Sequence, residues 1–177
     1  MVGGAQMARQ LWVLRHAEAD RLGIGQHGTR SDSERRLTPR GEDQARAAGA
    51  ALSRLEVTFD AVLFSPKTRA RQTVELAAEQ WQPSQRELLR PYEPLASGFD
   101  GRQALDALSA IGADGRLLIV GHEPDLSRTV ADLTGGRIDL KKGGLAVVRL
   151  EGVGGELAVL MRSRELALIA GIPGGGN

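Results

Sequence analysis

Three short apolar runs constrain this chain more than any other feature. They are Leu11-Trp12-Val13-Leu14, Ala61-Val62-Leu63-Phe64 and Leu117-Leu118-Ile119-Val120. Each is too short for a helix, and none is interrupted by a polar residue. An unbroken apolar run of this length is the pattern of a strand covered on both faces, as in a parallel sheet flanked by helices. A helical pattern follows each run, directly or after a loop. Thr38-Pro39 supplies an N-cap and a proline for the first helical turn, and Ala45, Ala48, Leu52 and Leu55 continue at helical spacing. Ser65-Pro66 offers the same device for a helix through Gln80. Asp100 or Gly101 opens a third helix carrying Ala104, Leu105, Leu108 and Ile111. Glu123-Pro124 opens a fourth, which runs to Leu133 and stops at Gly135-Gly136.

Toward the C-terminus the pattern changes. Leu145 to Leu150 and Leu157 to Arg162 read as a hairpin around the glycine-rich stretch Glu151 to Glu156, and a last short helix is expected from Arg164 to Ala170. The expected architecture is a three-layer α/β/α sandwich with a mostly parallel central sheet and an antiparallel edge hairpin. One domain over residues 10–170 accounts for all of it. Residues 1–9 and 171–177, with Gly3-Gly4 and Pro173-Gly174-Gly175-Gly176, read as flexible tails.

Composition narrows the chemistry. The chain has no cysteine, which excludes disulfides, thiolate metal sites and a thiol nucleophile and suits a cytoplasmic setting. No apolar run approaches the ~20 residues of a membrane span, and Met1 to Gln10 is too short and polar for a secretion signal. A net charge of +1 argues against a nucleic-acid surface. Only Lys67, Lys141 and Lys142 among the 23 basic residues are lysine. The arginine excess reads mainly as genome composition, since alanine and glycine are abundant as well.

The residues that follow the three runs carry the functional signal. Arg15-His16-Ala17-Glu18 follows the first, Ser65-Pro66-Lys67-Thr68-Arg69 the second and Gly121-His122-Glu123-Pro124 the third. In open α/β sheets, ligands bind outside the carboxyl ends of the strands. Three separate strands therefore deliver Arg15, His16, Arg69 and His122 to one rim. The third histidine, His27, lies in the Gly23–Gly28 loop and is expected to be solvated. Arg69 stands in a first helical turn, where a cation opposes the helix dipole and calls for an anion. Two guanidinium forks beside helix N-termini specify an anion with several oxygens, phosphate or sulfate. A histidine among them can accept a phosphoryl group covalently. There is no Walker loop, and no His or Asp cluster with metal-ligand spacing. The charge on the anion would then be met by arginine and histidine, with no metal and no cofactor.

These residues resemble the histidine phosphatase superfamily, with its phosphoglycerate-mutase-like fold. Leu14-Arg15-His16-Ala17-Glu18 looks like the Arg-His-Gly signature, with alanine in the glycine place. Ser65 to Thr73 looks like the Ser-x-x-x-Arg-Ala-x-x-Thr motif, and Val120-Gly121-His122-Glu123 like the third motif. Leu37-Thr38-Pro39-Arg40-Gly41 through Gln44-Ala45 matches the segment opening the first helix. The resemblance implies that His16 is the nucleophile and that Arg15, Arg69 and His122 complete a phosphate pocket. The short chain, the Arg-His-Ala form and Gly-His-Glu-Pro most resemble the small SixA-type phosphohistidine phosphatases. Little sequence remains for a lid, and no asparagine follows Glu18 closely; both features point away from a mutase.

The resemblance offers Glu123 and Glu93 as candidate general acids, and Glu18 also lies near the signature. A phosphohistidine substrate needs an acid less, because its N–P bond is labile. The expected activity is metal-independent dephosphorylation of a protein phosphohistidine through phospho-His16. The alternatives are a phosphatase for a small phosphate ester or nucleotide, and a phosphate-binding module without turnover. The expected partner is a phosphorylated protein or a small phosphate ester, with no nucleic acid and no membrane. Trp81 to Phe99 is the only segment long enough to flank the pocket, and the polar Asp20–Arg36 loop is expected to help meet a protein partner.

Overall fold

The three apolar runs form the inner strands of one six-stranded sheet. The computed structural model describes residues 8–21, 31–152 and 154–172. The strands are β1 (Arg9–Arg15), β2 (Ala61–Phe64), β3 (Leu89–Pro91), β4 (Arg116–Gly121), β5 (Leu145–Glu151) and β6 (Gly154–Met161). Their order across the sheet is β3-β2-β4-β1-β5-β6. The first four in that order run parallel, while β5 pairs antiparallel with β1 and β6 antiparallel with β5. The helices are α1 (Pro39–Arg54), α2 (Thr68–Ala78), α3 (Pro83–Arg86), α4 (Gly101–Ser109), α5 (Asp125–Thr134) and α6 (Ser163–Ile169). The fold is the expected α/β sandwich.

Pleating divides the apolar runs between two cores. Leu11 and Val13 of β1 and Leu117 and Ile119 of β4 point to one face, where Ala104 and Leu108 of α4 and Leu126, Val130 and Leu133 of α5 cover them. Leu14, Leu118 and Val120 point to the other, against Ala48, Ala51 and Leu52 of α1, Val74 and Ala77 of α2 and Leu166 of α6. Every one of these strand side chains is fully buried, and truncating one to alanine would cost about 2–5 kcal/mol. This two-sided burial explains why the runs lack polar alternation.

Local signals set most helix ends. The Thr38 hydroxyl accepts from the Gly41 amide at 3.1 Å, with Pro39 in the first turn. Asp100 and Gln103 form a capping box at α4, and Gly135 ends α5 in the left-handed conformation at φ 73°. Gly41 is required for a different reason. A Cβ there would collide with the carbonyl oxygen of Glu18, so the start of α1 can lie against the segment after β1 only with glycine.

Several expectations are corrected. Helix α2 begins at Thr68 rather than after Ser65, because the Ser65 hydroxyl bonds His122 and the Lys67 amide instead of capping a helix. Helix α5 begins at Asp125, just after Pro124. The hairpin turn is tighter than expected, since Gly154 to Glu156 belong to β6. Arg9, expected in a tail, is paired with Leu150 in β1. Strand β3 is an element the sequence reading missed. His27 and the Met1–Met7 and Pro173–Asn177 segments lie outside the described residues. No helix among the described residues is long and apolar enough to cross a membrane.

The connections fix where a site can form. Helix α1, which follows β1, packs on one face of the sheet, and α5, which follows the neighbouring β4, packs on the other. The chain therefore diverges at the carboxyl ends of β1 and β4, leaving a crevice between them.

Candidate active site

His16 and His122 stand at that divergence. The His16 amide donates to Gly121 O at 3.0 Å, prolonging the β1–β4 ladder, and His16 O accepts from the Gly143 amide at 3.1 Å. The Ala17 amide donates to Thr73 Oγ1 at 3.0 Å, and that hydroxyl donates to Arg69 O at 2.7 Å. The fully buried Thr73 thus ties α2 to the segment that carries His16. The two imidazoles lie 5.1 Å apart between centroids. Arg15, His16, Arg69 and His122 all line one cavity of about 430 Å³.

Hydrogen bonding fixes the His16 tautomer. His16 Nδ1 lies 2.8 Å from Ala17 O. A carbonyl only accepts, so Nδ1 carries the proton and Nε2 keeps its lone pair. The sequence could not identify this acceptor. His122 Nε2 lies 2.7 Å from Ser65 Oγ, which also accepts from the Lys67 amide at 3.3 Å. With Ser65 donating to Nε2, the neutral His122 ring carries its own proton on Nδ1; with Nε2 donating to Ser65, Nδ1 holds the lone pair. Among the described residues, the buried side-chain polar atoms without a hydrogen-bond partner are Arg15 Nε, Arg69 Nε, His122 Nδ1 and Ser127 Oγ. Three of these four belong to the cavity residues. Buried donors without acceptors are costly in a native protein and mark a place where an acceptor binds.

The electrostatics keep both imidazoles neutral. His16 is 5% exposed and His122 7%. Burial pushes the His16 imidazole down to about 3, and the Arg69 and Arg15 guanidiniums add to the effect. Burial likewise pushes His122 down to about 3, with Arg69 and His16 contributing.

Five residues around the cavity, Asp32, Arg35, Lys67, Asp125 and Lys142, were not singled out from the sequence as site residues. Asp32 O accepts from Arg69 Nη1 at 2.6 Å, and Asp32 Oδ2 accepts from Arg69 Nη2 and from Lys67 Nζ, each at 3.0 Å. Arg35 Nη1 donates to Asp32 Oδ1 at 3.1 Å. Burial alone would raise the Asp32 carboxyl, but the hydrogen bonds from Lys67, Arg69 and Arg35 outweigh it and hold it well below the usual carboxylate range. The anion that Arg69 called for in its helical turn is thus supplied by the chain itself. Asp125 also lines the cavity and accepts from the Gly98 amide at 2.6 Å, holding the Ala96–Gly98 segment at its wall. Lys142, on the turn before β5, lines the cavity as well.

The three candidate acids part company. Glu123 lines the cavity, and its Oε1 accepts from the Ser127 amide at 3.1 Å. Glu93 is exposed and lies outside the cavity lining. Glu18 faces a neighbouring depression and accepts from the Thr38 hydroxyl at 2.9 Å. Of the Trp81–Phe99 segment, only Ala96, Ser97 and Gly98 reach the cavity. The rest forms α3, β3 and a short 3-10 turn along the sheet edge. Among the described residues, no three His, Asp or Glu side chains are grouped as a metal site would require.

Comparison with known proteins gives a consistent result. A sequence model of the histidine phosphatase superfamily (branch 1) matches residues 11–91, which include Arg15, His16 and Arg69. An uncharacterized protein of Picosynechococcus sp. (strain PCC 7002) is 32% identical over 153 residues, 79% of this chain and 84% of that protein. The structure of the protein histidine phosphatase SixA complexed with tungstate is 26% identical, with a TM-score of 0.75 over 89% of this chain and 99% of that one. A phosphoserine phosphatase from Entamoeba histolytica in complex with 3-phosphoglyceric acid shares the fold at 16% identity. Its TM-score is 0.68, over 89% of this chain and 99% of that one.

Proposed function

The chain belongs to the histidine phosphatase superfamily, and from that premise we propose that it removes the phosphoryl group from a protein phosphohistidine by way of phospho-His16. It is a phosphatase; the substrate and the residue roles are the proposal. One observation carries the reading. His16 is held neutral with a lone pair on Nε2, beside unpartnered buried N–H groups on Arg15 and Arg69 and the unpartnered Nδ1 of His122. That is a nucleophile set among donors for the oxygens of a phosphoryl group.

In the first step, His16 Nε2 attacks phosphorus and the P–N bond of a phosphohistidine protonated on its other ring nitrogen breaks, so that the substrate leaves as a neutral imidazole with no further proton required. Arg15, Arg69 and His122 hold the equatorial oxygens through the transition state. The catalytic contribution is positioning and charge complementarity. The Asp32 carboxylate must release part of the Arg69 fork as the phosphoryl group enters. In the second step, water attacks phospho-His16, and inorganic phosphate leaves with His16 restored. The Ala17 carbonyl holds the Nδ1 proton throughout, so the same nitrogen accepts and releases the phosphoryl group.

Three features support a phosphohistidine substrate. The similar SixA structure is that of a protein histidine phosphatase, complexed with tungstate. Glu123 is the one candidate acid on the cavity wall, and its carboxylate already accepts from a backbone amide. A labile N–P bond makes a strong acid unnecessary. The Trp81–Phe99 segment builds a sheet edge instead of a cover, so a phosphoryl group displayed on a protein surface can reach His16.

The test is a comparison of kcat/KM at matched salt between a histidine-phosphorylated phosphotransfer protein and a panel of small phosphate esters. The phosphoprotein should win by tenfold or more. A small ester winning by tenfold would contradict the substrate reading and leave the chemistry at His16 standing. EDTA should leave either rate unchanged, since arginine and histidine carry the charge; a loss restored by magnesium would overturn that part.

A further inference from the structure

A second depression of about 410 Å³ adjoins the phosphate cavity and shares Arg15 and Lys142 with it. Arg40, Lys141, Arg162 and Arg164 line it as well, and Glu18 is the one carboxylate lining it among the described residues. These cations come from three separate places: the first turn of α1, the turn before β5 and the start of α6. Two nearby carboxylates pair with them, Asp139 with Lys141 and Glu165 with Arg164. Glu18 reaches Arg40 only at 3.9 Å. Six cations against four carboxylates, with Glu123 beside Arg15 included, leave an excess of two positive charges in this one patch, whereas the whole chain carries +1. Lys142 and Arg162 have no ion-pair partner among the described residues.

The lysines sharpen the point. Twenty of the 23 basic residues are arginine, yet all three lysines, Lys67, Lys141 and Lys142, line this depression or the adjoining cavity. A lysine is a hydrated point charge on a flexible stem, suited to a mobile anionic surface more than to fixed bidentate contacts. Arg40, Lys141, Lys142, Arg162 and Arg164 are all exposed. A small anion would need buried donors converging on one point. An exposed strip of cations spread over three segments fits an extended run of carboxylates.

We propose that this strip docks an acidic segment of the phosphoprotein substrate, flanking the phosphohistidine that enters the cavity. The proposal rests on the phosphohistidine reading above and adds the character of the partner. Continuity through Arg15 and Lys142 means that a chain with its phosphorylated residue at His16 lays its neighbours along Lys141, Arg162 and Arg40. Such exposed complementarity speeds encounter and selects partners, and salt screens it.

The experiment uses the full chain and a triple variant, Arg40→Glu, Lys141→Glu and Arg162→Glu. None of these residues contacts the reacting groups. A fluorescein-labelled, unphosphorylated peptide rich in Asp and Glu is titrated by anisotropy against a Gly/Ser peptide of equal length. The wild type should bind the acidic peptide at least tenfold more tightly at low salt. The triple variant should lose that preference while hydrolysing para-nitrophenyl phosphate within twofold of wild type, which shows that it is folded. Equal binding of the two peptides, or an unchanged preference in the variant, overturns the proposal. In parallel, phosphohistidine peptides with acidic and neutral flanks are compared for kcat/KM, with a tenfold preference for acidic flanks expected through KM. If neither phosphopeptide is hydrolysed while the acidic peptide still binds through the strip, the substrate reading falls and the acidic docking site stands.

Discussion

Two cavities of nearly equal size lie at opposite ends of the sheet. The one at the carboxyl ends of the parallel strands has about 430 Å³ and the one at the amino end of β1 about 420 Å³. The second is walled by Leu105, Leu108 and Leu150, with Arg9 and Glu151 at its margin. None of the buried, unpartnered donors belongs to it. The first holds two buried, neutral imidazoles and the buried Arg69 guanidinium. Volume therefore does not separate the two ends. What differs is that loops after parallel strands carry the polar groups at one end, while the other end collects the margins of helices and a hairpin.

The strongest way to break this contrast is to remove the group unique to the first cavity. His16→Ala should lower kcat by more than about a thousandfold, as loss of a covalent nucleophile does. Arg9→Ala and Leu105→Ala, at the other cavity, should leave kcat within twofold. Steady-state kinetics with para-nitrophenyl phosphate decides, and a His16→Ala enzyme retaining a tenth of wild-type activity would erase the difference.

A smaller loss is expected from Arg69→Ala, roughly 100-fold in kcat/KM, the scale of one lost transition-state donor. Lysine at this position should recover only part of it, because a point charge cannot reproduce the fork. Full activity in the lysine variant would mean that charge alone suffices.

Ser65→Ala sharpens the comparison by acting through His122. Without the Ser65 hydroxyl, His122 Nε2 loses its partner, and kcat should fall roughly tenfold, the worth of one buried hydrogen bond. Since His122 would then titrate differently, the acid limb of the pH–rate profile should also move. A variant with lower stability and an unchanged profile would show a merely structural serine.

The last expected effect is on stability. Both imidazoles lie near 3 in the folded chain against about 6.5 unfolded. The unfolded chain therefore takes up protons first. The contribution is fully present above pH 6.5 and is lost as pH falls from there toward 3, on the order of 1–2 kcal/mol per imidazole by pH 5. Melting curves between pH 7 and pH 5 should show wild type losing several degrees more than a His16→Gln/His122→Gln double variant. Parallel pH dependences would contradict the neutral, desolvated histidines.

The contrast between the two ends also explains what could be read in advance. The inner strands were legible because burial on both faces leaves unbroken apolar runs, and the residues after them inherit a known side of the sheet. Arg15, His16, Arg69 and His122 were therefore placed without any long-range information. Asp32 was not, because it lies in a polar stretch without periodicity and meets a residue 37 positions away. Its one trace was the unbalanced charge of Arg69 at a helix start. Strand β3 spans only Leu89–Pro91, too few residues for an alternation to show. The α2 boundary was misplaced because the Ser65 side chain serves the site in place of the helix. Lys142 and its neighbours escaped because they precede an antiparallel strand, where no rule assigns a rim.

The central claim is that His16 Nε2 carries the phosphoryl group between substrate and water. Rapid quenching of the wild-type enzyme into alkali during turnover preserves phosphohistidine, and peptide mass spectrometry then locates it. The account predicts one phosphoryl group on His16, formed and lost at rates compatible with kcat, and none in His16→Ala. A phosphoryl group on another residue, or turnover at the full rate with His16 unmodified at every quench time, would contradict it.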